Sequence, residues 1–344
     1  GNSDGNSDGN SNGNSNGNSN GNSNGNSNGN SNGNSEGNSD GNAKKDAPPS
    51  GSDGGLSNEE SYSGEGQTNP SVADPVVAKI GDAEYTTLQA AIDAACTASS
   101  KTTITLQSDL TLNNEGLRFD GPEVSTPAEW KDITLDAATH SLTLKGKGIY
   151  AAYCKVTIQR CRELTVNAGM NPGKTDANKE NATISAVFFC PGTLILDKCD
   201  TVNITNVEPK TSGGSGLCIY NGGDLYIRND THFTVSGFMN GTPGPGEQGK
   251  GGCSGIYIDS DKNINHDYKT ITGQIKVSDN SSLTATKCFH NGITANPVNI
   301  TVTKSSTIDV SNNNPGDGSG KGGLGCYFGS LTVSESYSVK AYNN

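Results

Sequence analysis

The chain is poor in the residues that usually build a compact core. Hydrophobic residues make up only 30% of its 344 positions, with one tryptophan and two methionines. A single globular core of this length needs more apolar material. Either part of the chain is unstructured or the core is thin and drawn out, and the sequence argues for both. Positive charge is also scarce. Arginine occurs only at 118, 160, 162 and 228, and the formal net charge is -12. A nucleic-acid binder carries a basic face, so nucleic acid and anionic membrane surfaces are excluded as partners. No run of 18 apolar residues exists, which excludes a transmembrane helix and membrane insertion by that route. No CxxC pair occurs either, which argues against a zinc ribbon or a thioredoxin-like centre.

What is present is low-complexity at one end and repetitive at the other. Residues 1–40 are ten tetrapeptides of the form Gly-Asn-Ser-(Asp/Asn/Glu). They carry no apolar side chain to offset the entropy of ordering, so 1–42 reads as a disordered tether and 43–75 as a polar linker. Asp4, Asn6 and Asp8 mimic the first half of a calcium loop, but Ser15 stands where the twelfth-position Glu belongs. A flexible chain of 1–75 reaches roughly 45–50 Å, which suits display away from a wall. Gly1 follows no apolar leader and is read as the mature end of an exported protein, a lipoprotein being one option.

Order is expected from about Val76. Residues 77–85 read as a hairpin and 86–95 as one amphipathic helix, with Leu88, Ala91, Ile92 and Ala95 on one face and Thr86 with Gln89 as a capping box. Together 76–100 form an N-terminal cap. From 101 to 344 the chain is strand and turn with a concealed repeat. An apolar-x-apolar pair is followed by a second one eight residues on: Val156/Ile158 then Leu164/Val166, Leu194/Leu196 then Val202/Ile204, Leu225/Ile227 then Phe233/Val235. The same holds for Ile275/Val277, Ile300/Val302 and Leu331/Val333 with their partners. Upstream of each sits a third short element, such as Gly148-Ile-Tyr150, Gly216-Leu-Cys218 or Gly255-Ile-Tyr257. Three short strands per repeat predict an all-β parallel β-helix solenoid. Alternation puts each apolar pair inside and the residue between them outside.

Small polar residues align at the bend after each first pair: Cys161, Cys199, Asp230, Asn280, Ser305 and Ser336. Coils stack about 4.8 Å apart, so Cys161 and Cys199 could meet disulfide spacing, with two stacked thiols as the alternative. There are nine cysteines, and an odd number cannot all pair internally.

The segment Val77-Ala-Lys-Ile-Gly-Asp-Ala-Glu-Tyr-Thr-Thr-Leu-Gln-Ala-Ala-Ile-Asp-Ala-Ala95 resembles the opening of right-handed, pectate-lyase-like β-helix proteins found on the surface of Gram-positive anaerobic bacteria. In those a short helix caps the end of the solenoid. The resemblance covers about 77–344. It implies right-handed coiling and an extracellular or cell-surface setting, with a lipid or wall anchor supplied by parts outside this chain. It implies no activity, since the fold hosts lyases, hydrolases, esterases and adhesins.

Catalytic chemistry has weak candidates. Asp197 and Asp200 on one coil and Asp224 and Asp230 on the next could approach as the paired carboxylates that glycoside hydrolysis needs, though bend acids are usually solvated. A lyase of this resemblance would use calcium beside an arginine; otherwise no cofactor is expected. The richest local cluster is Asp259 to Tyr268, with Asp259, Asp261, His266 and Asp267 as binding candidates beside Tyr226. A polar loop of that composition is more often just a loop. His290 lies in a Phe-His-Asn-Gly turn. Outward threonines, broken by Ile195, Tyr226 and Lys276, argue against a flat ice-binding ladder. The insertions 167–185, 206–215, 237–254 and 311–323 fall at one register and predict a row of loops on one edge. The resulting expectation is a monomeric, surface-displayed adhesin-like protein binding a polysaccharide or a host glycoprotein such as a mucin or immunoglobulin. A polysaccharide lyase or glycoside hydrolase is the alternative, and a ligand-free stalk the third. The chain stops at Asn344 just past a coil, which suggests a natural protein that continues.

Overall fold

The computed structural model describes residues 74–124, 126–170, 185–206, 215–238, 254–260, 273–288, 291–313, 322–326, 328–335 and 338–344. They form an all-β, solenoid-like fold of three sheets with one α-helix. The first sheet has ten strands, the second eight and the third seven. Each turn of the chain lays one strand in each sheet. Thus Gly192–Asp197 lies in the first, Thr201–Thr205 in the second and Leu217–Tyr220 in the third, before Asp224–Arg228 re-enters the first beside Gly192–Asp197. Neighbouring coils pair in parallel and in register, so like positions stack. Leu142, Leu164, Val202, Phe233, Leu283, Ile308 and Val339 form one such column.

The inner columns explain how so apolar-poor a chain folds. Leu225, Ile227, Phe233 and Val235 are fully buried, as are Ile275, Val277 and Leu283 one coil on. Each such side chain contributes roughly 1.5–3 kcal/mol by leaving water. The coils approach so closely that some positions tolerate only glycine. A Cβ on Gly148 would stand 1.7 Å from the Ala186 carbonyl oxygen of the next coil.

At the start, strands Ala78–Ile80 and Ala83–Tyr85 form the expected hairpin, and Ala78–Ile80 continues antiparallel onto Thr102–Leu106. The helix α1 spans Leu88–Thr97 and buries Leu88, Ala91, Ile92 and Ala95, the face read from the sequence. Its cap is not Thr86. The Thr87 hydroxyl accepts from the Ala90 amide at 3.2 Å. Gln89 does not complete a capping box. It bridges to the first coil, accepting from the Arg118 amide at 2.9 Å and donating to the Arg118 carbonyl at 2.8 Å. Strand Leu117–Asp120 adds a third-sheet member that the repeat elements read from the sequence did not include, although Leu117 and Phe119 alternate with Arg118 and Asp120 as a strand with one buried face does.

The bends between the first and second sheets also correct the alignment of small polar residues. Asn229 and Asp230, Asp279 and Asn280, and Lys304 and Ser305 form left-handed pairs, all with φ between 52° and 61°. Asn and Asp adopt that conformation most readily. The pair turns outward, and the residue after it points in. The buried stack therefore runs Cys161, Cys199, Thr231, Ser281, Ser306 rather than through Asp230, Asn280 and Ser305. Backbone amides pulled out of the ladder find hydroxyls one coil on: Cys199 N–H to Thr231 Oγ1 at 3.0 Å, Thr231 N–H to Ser281 Oγ at 3.1 Å, and Ser281 N–H to Ser306 Oγ at 3.1 Å.

Cys161 and Cys199 are stacked free thiols, not a disulfide. Each sulfur turns to the preceding coil, Cys161 Sγ toward His140 O at 3.5 Å and Cys199 Sγ toward Ile158 O at 3.4 Å. Burial pushes these thiols up to about 12 and about 11 respectively, so both stay protonated.

Candidate functional site

The left-handed pairs project polar side chains from successive coils into one place. Asn229, Asp230, Asp279, Asn280, Lys304, Ser305 and Glu335 line an open surface cleft of about 610 Å³. Its groups are held by bonds running from coil to coil. Asn280 Nδ2 donates to Asp230 Oδ1 at 2.7 Å, and Lys304 Nζ lies 2.8 Å from Asp279 Oδ1. Ser278 Oγ donates to the other Asp279 oxygen at 2.8 Å. The Lys304 bond, seconded by Ser278, holds the Asp279 carboxyl below the usual carboxylate range. Asn229 extends the network to Asp197 at 2.7 Å. The cleft offers amide, carboxylate, ammonium and hydroxyl groups together, a set suited to hydrogen-bonding a hydroxyl-rich ligand.

Of the four carboxylates named from the sequence, Asp224 stands apart from Asp197 and Asp230. Asp230 lines the cleft. Asp197 is paired with Arg228, whose Nε lies 2.8 Å from Oδ2. Asp200 is exposed on the second-sheet side of the bend, its amide donating to Cys161 O at 2.9 Å. Asp224 sits at the far end of its strand, on the outer face of the first sheet, where the Gln274 amide donates to Oδ1 at 2.9 Å. Asp197 faces Arg228, four residues along from Asp224, which places the two backbones roughly 14 Å apart. Glycosidase pairs stand about 5–9.5 Å apart. Burial raises the Asp224 carboxyl despite its bonds from Tyr226 and Gln274. The Tyr226 hydroxyl donates to Asp224 Oδ2 at 3.0 Å, and burial with that carboxylate pushes the phenol up to about 12.

The binding candidates are split as well. Tyr226 lies on the first sheet and Asp259 on the third. Asp259 is buried, with the Tyr257 hydroxyl donating to Oδ2 at 3.2 Å. Asp261, His266 and Asp267 lie outside the described residues, as does the greater part of the four insertions. Sequence reading overlooked an outward column on the third sheet. Arg118 lies over the Tyr150 ring at 5.1 Å, Tyr150 stacks on Phe188 at 6.0 Å, and Cys218 and Tyr257 continue the line. Its signal was the aromatic that ends Gly148-Ile-Tyr150, Ala186-Val-Phe188 and Gly255-Ile-Tyr257.

Among the described residues no three His, Cys, Asp or Glu side chains group as a metal ion requires. No described helix is long and apolar enough to cross a membrane. No family profile, no curated protein and no solved structure matches this chain.

Proposed function

We propose that this is a surface-displayed, adhesin-like binding protein that recognises a glycan or host glycoprotein through polar side chains on one edge of its solenoid. On this reading the coils wind right-handedly as a parallel β-helix, α1 caps their first end, and residues 1–75 tether the domain outside the cell. The observation that supports it is the cleft. Four successive coils contribute Asn, Asp, Lys, Ser and Glu groups to one open surface, and a repeating row of hydroxyl-matching groups fits a repeating polymer. The edge differs from the one the insertions marked out, since it lies between the first and second sheets. The test is retention on a panel of acidic and neutral polysaccharides and mucin, with and without calcium, scored together with release of new chain ends. Retention without cleavage is expected.

One observation favours a polysaccharide-cleaving enzyme as the second reading. Asp224 is a carboxyl raised by burial and hydrogen-bonded to Tyr226, the posture of a general acid. New chain ends that disappear in Asp224→Asn would establish it and displace the first.

A further inference from the structure

The cleft repeats along the stack. Asn229 and Asp230 come from one coil, Asp279 and Asn280 from the next, Lys304 and Ser305 from the third and Glu335 from the fourth. Backbone bonds hold these bends in step, Asp230 N–H to Asp279 O at 2.9 Å and Asn280 N–H to Lys304 O at 2.9 Å. The polar rungs therefore follow one another at about 4.8 Å, the spacing of paired strands. That is close to the rise per sugar of an extended β-1,4-linked pyranose chain. Resting on the glycan-binding reading above, we propose that the cleft takes a linear, β-linked glycan without acidic groups, lying along the stack with one sugar on each coil.

Charge and bonding capacity select that class. The lining holds three carboxylates, Asp230, Asp279 and Glu335, against one ammonium, Lys304. That ammonium already lies 2.8 Å from Asp279. Arg228, beside Asn229, is held in the same way, its guanidinium 2.6 Å from Asp197. Lys198, at the bend one coil earlier, is outside the lining. A polymer bearing a carboxylate or sulfate on each sugar would set like charges face to face, which disfavours it. Hydroxyl groups meet acceptors instead. Asp230 Oδ2, opposite the oxygen that takes Asn280, and the Glu335 carboxylate accept no hydrogen bond from a described residue. Lys304 keeps N–H groups beyond the one facing Asp279, and the Ser305 hydroxyl both donates and accepts. These groups are solvent-exposed on Asn229, Asp230, Asn280, Lys304, Ser305 and Glu335, so a chain laid along the bends reaches each rung in turn.

The full chain would be titrated calorimetrically with cello-, chito- and β-manno-oligosaccharides of two to six sugars, and with β-linked mannuronate oligomers of the same lengths. At least one neutral series should tighten by roughly three- to tenfold with each sugar up to the fourth and level off beyond it. Mannuronate oligomers, which carry a carboxylate on every sugar, should bind at least tenfold more weakly than that series. Glu335→Ala removes the last rung and should move the levelling point from four sugars to three, while Thr332→Ala should leave it at four. Affinity that levels at two sugars or climbs steadily to six, a levelling point that Glu335→Ala does not move, or mannuronate binding as tight as the neutral series would overturn the proposal. Retention on an acidic polysaccharide or mucin with no neutral series bound would also overturn it, and would leave the proposed function standing. Retention on no glycan at all would sink both.

Discussion

The two ends of the stack carry the same kind of residue and treat it differently. Ile104 and Leu106 in the first coil are buried, because α1 and the hairpin lie over them. Leu331 and Val333 also point inward in the last first-sheet strand, Val333 in the same column as Ile104, yet they are 44% and 48% exposed. Phe328 and Tyr342 nearby are also exposed. A coil does not bury its own side chains; the neighbour above or below does. Stability in such a fold is a sum of interfaces, and a residue's worth depends on how many neighbours its coil has.

The comparison is sharpest within a single column. Leu225 and Leu331 face the same way, but Leu225 is fully buried between coils. Leu225→Ala should cost about 2–5 kcal/mol in denaturant unfolding. At the covered end, Ile92→Ala should cost about 2–4 kcal/mol, and hydrogen exchange should quicken first in Thr102–Leu106 and Leu117–Asp120. Equal protection in the variant and the parent would show that α1 is not what shelters the first coil.

Charge at the bends adds a smaller effect with a defined sign. Burial works against the Asp136 carboxylate, but Arg160, the Ala138 amide and Gln159 together outweigh it and hold the carboxyl below its ordinary value. A depressed carboxyl contributes stability above the unfolded value near about 3.9 and loses it as pH falls through the folded value. The parent should therefore lose stability below about pH 4 more steeply than Asp136→Asn, which at neutral pH should already be weaker by about 1–2 kcal/mol. Urea midpoints across that range measure it. The smallest effect belongs to the last described coil: Leu331→Ala in this chain should cost under about 1 kcal/mol, because its side chain is already 44% exposed. A loss equal to that of Leu225→Ala would break the contrast between the ends.

Much of this architecture was legible because period-two apolar pairs recur at a fixed offset. Val156/Ile158 with Leu164/Val166 set the first two sheets, and Gly148-Ile-Tyr150 and its equivalents set the third. Less legible was anything decided by contact between coils. Thr86 and Thr87 are the same residue type, and only the start of the hydrogen-bond ladder selects Thr87 as the cap. The buried stack passes through Thr231 and not Asp230 because two left-handed residues displace it by one, and spacing alone does not reveal backbone handedness. The site was less readable still. Asp230, Asn280 and Ser305 align at the bends of successive coils in the sequence, but Lys304 and Asp279 beside them carried no such signal, and the alignment did not single out a cleft.

The proposed function requires that the cleft be what meets the ligand. The most direct measurement is retention of the parent, an Asn280→Ala/Lys304→Ala double variant, and Thr332→Ala as a control on another face, on whichever glycan or mucin the parent binds. Retention without new chain ends is expected, lost at least tenfold in the double variant and unchanged in Thr332→Ala. Undiminished retention of the double variant, or cleavage that requires Asp224, would contradict it.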